Sequence, residues 1–187
     1  MKYIITLIFL FLYPLCSYSQ SKIEIEKRVD TSDVPIIAQR FMDSLHFSSK
    51  IMWFVEQDYD RESFEAKTKY KGKKYSIEFD TLGKIEDIEI KIKWRQISVS
   101  SQKVICERLK KVFSKYKIKK IQIQYTGTEK DLINFYDKKD RLTTKYEIIV
   151  KGMKENQTSL YEFLFSEDGK LESQRQIDFR NTDHLEY

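Results

Sequence analysis

The side chains able to do chemistry in this chain are few, and their spacing matches no reactive pattern. Histidine occurs twice, at His46 near a helix end and at His184 in the C-terminal tail. A histidine catalytic pair or a His-based metal site needs partners that neither residue has, so both read as core or surface histidines. Cys106 follows Ile105 in a helical apolar stripe with no histidine in the pattern. It reads as a small buried apolar group rather than a nucleophile. Asp58, Asp60 and Glu62 superficially suggest a calcium loop, but Ser63 follows where the sharp-turn glycine is needed and nothing extends the motif to full length. Glu86-Asp87 and Glu167-Asp168 are paired carboxylates in a chain with 29 Asp and Glu, and carry no specific acid–base signal. Tyr75 and Tyr161 read as core-edge aromatics whose hydroxyls reach water. The sequence therefore gives no catalytic residue, no metal ligand and no cofactor, and the chain is expected not to be an enzyme.

What positions these residues is a motif written twice. Residues 75–86 read YSIEFDTLGKIE and residues 161–172 read YEFLFSEDGKLE, both fitting Y-x-x-x-F-x-x-x-G-K-[IL]-E. Tyr75, Ile77 and Phe79 alternate with Ser76 and Glu78, giving a strand with one apolar face. Asp80-Thr81-Leu82-Gly83 then closes a turn with glycine at the position that needs positive φ, and Ser166-Glu167-Asp168-Gly169 repeats it. Internal repetition is weighed before any fold assignment.

The N-terminus reads as an export signal. Lys2 precedes an apolar run over residues 3–15, and Ser17-Tyr18-Ser19 supplies a small-x-small cleavage site. The run is shorter than the ~20 residues of a spanning helix and Pro14 interrupts its end. Leu15 before Cys16 argues against lipidation. Cleavage after Ser19 leaves 168 residues with a formal charge of +4 and Cys106 as the sole cysteine, so no internal disulfide. The basic runs 71–74 and 115–120 are short and read as solvated loops, without the stripe or motif that nucleic-acid binding requires. Neither nucleic acid nor membrane insertion after cleavage is expected, and the chain is expected to be a monomer.

Along the chain, residues 23–26 suit a short edge strand or a tail. Asp33-Val34-Pro35 opens a helix whose stripe is Val34, Ile37, Ala38, Phe41, Met42 and Leu45. Four strands follow, over residues 51–56, 63–70, 75–79 and 85–94. The second half repeats the order, with a serine-capped helix from residue 99 and strands over 121–125, 146–151, 161–165 and beyond. An insertion at 127–143 fits an extra short helix or a lid. The expected fold is α+β, two tandem repeats of one helix plus an antiparallel β-meander sharing one curved antiparallel sheet. The expected domains are a signal peptide (1–19), a first repeat (20–97) and a second (98–187).

Val34-Pro35, Phe41, Phe47, Trp53, Phe64-Glu65-Ala66, Gly72 and Phe79-Asp80 with Gly83 resemble the pattern of the beta-lactamase-inhibitor-like, PepSY-like family. Tyr146-Glu147-Ile148, Phe165 and Gly169-Lys170-Leu171 resemble the same pattern again, without the first repeat's proline and tryptophan. The resemblance implies tandem helix-plus-sheet units, periplasmic or secreted location and an inhibitor-like binding role; it transfers no active-site residue. The expected function is binding of a protein partner through the sheet face turned away from the helices. Pleat parity puts Met52, Phe54, Ile149 and Leu164 on that face, with Trp94 at a strand end beside them. The alternative is a small-ligand carrier or sensor with a pocket between sheet and helices.

Overall fold

Period-two alternation of apolar and polar residues runs through most of this chain, and strands follow it. The structure, a computed structural model, describes residues 21–23, 25–58, 61–137 and 139–178. Its strands are β1 (Ser21–Ile23), β2 (Ile25–Val29), β3 (Met52–Gln57), β4 (Glu62–Tyr70), β5 (Lys73–Phe79), β6 (Ile85–Lys91), β7 (Lys115–Thr126), β8 (Thr143–Lys154), β9 (Gln157–Ser166) and β10 (Leu171–Asp178). Three helices interrupt them: α1 (Ile36–Ser44), α2 (Val99–Val112) and α3 (Glu129–Ile133). Strands β2 to β10 form one antiparallel sheet in chain order, and β1 adds to β10 in parallel. Among the described residues, no helix is long and apolar enough to cross a membrane.

The expected α+β class is corrected by this arrangement. The fold is predominantly β, because the strands run through segments expected as loops while the helices stay short. Residues 115–120, expected as a solvated basic loop, begin β7 instead. There Tyr116 and Ile118 are half-buried and alternate with exposed Lys115, Lys117 and Lys119, a period-two pattern that the lysine count obscures. The basic turn 71–74 likewise gives Lys73 and Lys74 to β5.

Helices α1 and α2 pack on one face of the sheet. Ala38, Phe41 and Met42 of α1 join Trp53, Ala66, Ile77 and Phe79 in one apolar cluster. Ile105 and Leu109 of α2 join Ile148, Phe163 and Phe165 in a second. The 127–143 insertion also lies on the helix side: Leu132, Phe135 and Leu142 close the first cluster, and the Tyr136 hydroxyl pairs with that of Tyr75 at 2.5 Å. Tyr75 is therefore buried rather than reaching water.

The two repeated turns seat the helices. Gly83 and Gly169 have φ of 81° and 82°, which glycine adopts without steric cost. In each turn a side chain four residues from the final lysine accepts that lysine's amide: Asp80 Oδ1 from Lys84 at 2.8 Å and Ser166 Oγ from Lys170 at 3.1 Å. Gly83 lies against Pro35 and Ala38 at the start of α1, and Gly169 against Ser101 in the first turn of α2.

The sheet curls until its ends meet. One residue separates β1 from β2, yet β1 pairs with β10 and β2 with β3, the two ends of the meander. Two peptide units span no more than about 7 Å, so those ends are brought close together. Arg175 on β10 reaches Asp58, just after β3, at 3.8 Å.

Candidate functional site: the inner face of the curled sheet

The face opposite the helices has no helix on it, but much of it is buried. Glu65, Ser76, Asp87, Glu89, Gln122 and Ile149 all lie there under almost complete cover. The cover is the sheet itself. A cavity of about 60 Å³ is lined by Glu56, Gln57, Asp58, Arg61, Ser63, Glu78 and Arg175. Glu78 on β5 and Arg175 on β10 are five strands apart in the sheet order, so they share one cavity only because this face is concave.

Register decides which groups meet inside. Glu65 pairs with Glu78 and Glu78 with Asp87, so three carboxylates stand in a row across β4, β5 and β6. Glu89 follows Asp87 by two residues on the same face, opposite Gln124 of β7. One oxygen each from Glu78, Asp87 and Glu89 lies within 4.8 Å of the others. Like charges directly opposite across strands are destabilising, so this row needs compensation.

Part of it comes from hydrogen bonds. At one end the Lys67 ammonium sits 2.9 Å from Glu65 and also contacts Glu26, while Ser76 donates to Glu65 Oε1. Lys67 also lies 4.8 Å from the centre of the Phe54 ring, a cation–π distance. Burial alone would lower the Lys67 pKa, but the two carboxylates outweigh it and hold the ammonium above its ordinary value. At the other end amides take over. Gln122 Nε2 donates to Glu89 Oε2 at 2.5 Å, and Gln124 Nε2 donates to Asp87 Oδ2 at 3.0 Å.

The compensation is incomplete. Burial, then the charges of Glu78, Glu147 and Glu86, push Asp87 well above the usual carboxylate range, and Arg61 opposes this only weakly. Burial, then Glu147, Asp87 and Glu78, do the same to Glu89 against Lys120. Such environments mark functional sites more often than chance.

Of the residues expected to form a contact face, Met52, Phe54 and Leu164 are half-buried and Ile149 is buried. Pairings Phe54↔Glu65, Glu147↔Leu164 and Ile149↔Glu162 put Phe54, Leu164 and Ile149 on the inner face. Trp94 is separated from them. It opens a 3-10 turn (Trp94–Gln96) and packs on the second apolar cluster. His46 is exposed, and Cys106 is half-buried on α2. Asp58 belongs to the cavity, and Glu62 accepts from Gln57 at 2.9 Å. Asp60, His184 and the leader with Cys16 lie outside the described residues. The sequence weighs Asp87 only as a pair with Glu86 and does not single out Glu65, Glu89 or Gln122; its available signal is the i, i+2 spacing of Asp87 and Glu89 on a strand whose other face is isoleucine.

No protein-family model matches this chain, and no curated protein matches it. Two solved structures share its fold. One, a candidate periplasmic protein of Bacteroides eggerthii, has 12% identity and a TM-score of 0.52, covering 76% of this chain and 88% of its own. The other, a BLIP-like protein of Bacteroides fragilis, has 15% identity and a TM-score of 0.51, covering 82% of this chain and 92% of its own. The fold is thus BLIP-like; at these identities the likeness is one of fold alone.

Proposed function

We propose that this chain is an exported, non-catalytic binding protein that engages a protein partner. The observation that carries the reading is an apolar group left in solvent where the first turn seats its helix. Leu82 is 74% exposed and Ile36 and Ile37 are 56% and 52% exposed, all beside the Gly83 contact with Pro35 and Ala38. Exposed apolar side chains grouped on a rigid support are what a partner's hot spot packs against. The inner cavity, at about 60 Å³, falls far below the roughly 300 Å³ of small-molecule sites. That volume weighs against a small-molecule site in this cavity. Met52, Phe54 and Leu164, half-buried on the inner face, are a second candidate contact surface, whereas Ile149 is buried there.

Export is supported by the Lys2, apolar run and Ser17-Tyr18-Ser19 order, and by the name of the B. eggerthii neighbour. A tandem PepSY-like origin, with halves 20–97 and 98–187, is supported by two features. The order of helix then four strands recurs, with α3 inserted, and Gly83 and Gly169 take the same conformation against their helices.

A photo-crosslinking residue placed at Leu82 or Ile37 tests the reading in cells producing the full chain. Adducts of one defined protein from these positions, and none from exposed Lys117 on β7, are expected. Equal labelling from Lys117, or no adduct from either position, overturns the assignment.

A further inference from the structure

We propose that Glu78, Asp87 and Glu89 form a binding site for calcium inside the curled sheet, with Gln122 as a neutral fourth oxygen. The first observation is geometric. One oxygen of each carboxylate lies within 4.8 Å of the other two. Ligands on opposite sides of a calcium ion stand about 4.6–5.2 Å apart, and around magnesium about 4.2 Å at most. Within that bound one ion can reach all three oxygens, and a site built of protein oxygens suits calcium, since magnesium usually keeps several of its waters.

The second observation is independent of the acidic cluster as such. Asp87 Oδ1 and Gln122 Oε1 are closed off from solvent and have no hydrogen-bond donor. Asp87 is 7% exposed and Gln122 3%. Gln122 reaches the cluster, since its Nε2 donates to Glu89, and its oxygen belongs to the same small amide. Buried acceptors left without donors are costly, and a native core seldom keeps them. A cation satisfies both with one group. It also removes the repulsion among Glu78, Asp87 and Glu89 to which Glu147 adds, because a bound cation is the largest local charge and inverts the local preference for protonation.

The donors decide the class of ion. All are carboxylate or amide oxygens, which suit hard cations; zinc and copper prefer nitrogen or sulfur. Glu78 lines both the cluster and the 60 Å³ cavity, so the ion reaches the site through the mouth beside Arg61 and Arg175. This site is distinct from the Asp58–Glu62 stretch, which supplies none of these three ligands. It also does not depend on the protein partner proposed above.

The test is isothermal titration of calcium chloride into protein purified from expression of the full chain and stripped with EDTA, at neutral pH. Melting is followed in parallel. Saturable binding of one ion with Kd on the order of 10⁻⁴–10⁻³ M is expected, the range of extracellular modules. The melting temperature should rise by about 5–10 °C at a hundred-fold excess over Kd. Asp87→Asn and Glu89→Gln keep the side-chain shape while removing charge. Both should lose the calcium response, and each should melt in EDTA no lower than the parent. Asp168→Asn, at an exposed acid, should bind as the parent does. Absence of saturable binding in the parent overturns the proposal and leaves shared protons as the compensation. An unchanged Kd in Asp87→Asn overturns it as well, and tighter binding of magnesium than of calcium overturns the choice of ion.

Discussion

Replacing Gly83 by alanine should cost far more than replacing Gly72, and the difference measures how firmly the first hairpin turn holds its helix. Both glycines have positive φ, 81° and 74°, so each alanine incurs a similar left-handed strain of about 1–2 kcal/mol. Each also stiffens the unfolded chain by about 0.4–1 kcal/mol, which cancels between them. Their surroundings differ. A Cβ at Gly72 would meet nothing within 4 Å, whereas at Gly83 it would sit 2.7 Å from Pro35 Cβ and 3.0 Å from the Ala38 amide nitrogen. Neither neighbour can swing aside, one being a ring atom and the other backbone. Overfilling a packed site costs about 1–3 kcal/mol, so Gly83→Ala should exceed Gly72→Ala by that amount. Gly169→Ala should behave like Gly83→Ala, since its Cβ would lie 2.7 Å from the Ser101 carbonyl oxygen. Urea denaturation followed by the fluorescence of Trp53 and Trp94 reads both midpoints. Equal midpoints for Gly72→Ala and Gly83→Ala would refute the seating of α1 on the turn.

Two further outcomes are expected. Asp87 and Glu89 are held above the usual carboxylate range, so the folded state keeps protons that the unfolded chain releases. In EDTA, stability should therefore fall as pH rises from the unfolded range, about 4, through the folded values, with a limiting slope of about 1.4 kcal/mol per pH unit for each group. Asp87→Asn should flatten that slope in urea titrations; a parent stability that rises over this interval would contradict the burial of these charges. Trp94→Ala should lower stability by about 1–3 kcal/mol, and the melting temperature with it, because Trp94 packs on the second apolar cluster. Phe54→Ala, at a half-buried position under Lys67, should lower it less, and the reverse order would mean Trp94 is free of that cluster.

Local signals carried a good part of this fold. The turns at Gly83 and Gly169, the apolar stripes of α1 and α2 except for Ile37 and Val104, which face solvent, and the serine cap of α2, where Ser98 accepts from the Ser101 amide at 3.1 Å, each depend on a few neighbouring residues. Pleat parity likewise assigned Phe54, Ile149 and Leu164 to the face away from the helices. Trp94 escaped it because the chain leaves the sheet at Lys93 for a 3-10 turn capped by Gln96, whose Oε1 accepts the Lys93 amide at 2.9 Å. What parity cannot give is curvature. Whether a polar face meets water or meets itself depends on Ser21–Ile23 pairing with β10 and Ile25–Val29 with β3, and no local pattern encodes contacts so distant in sequence.

The consequence falls on the carboxylates. Polar positions of an antiparallel strand ordinarily face solvent, so Glu65, Glu78, Asp87 and Glu89 read as a solvated surface until the sheet closes over them. A solvated surface would also tend to oppose acids with bases, since opposite charges facing each other across strands stabilise a pair. Here Glu65, Glu78 and Asp87 oppose one another, and Glu89 faces Gln124. Lys67 answers the first of them; for Asp87 and Glu89 the partners are neutral amides that leave Asp87 Oδ1 without a donor. The residual demand of the fold is therefore for positive charge at one defined place. Curling the sheet both creates that demand and shapes the cavity through which a cation meets it.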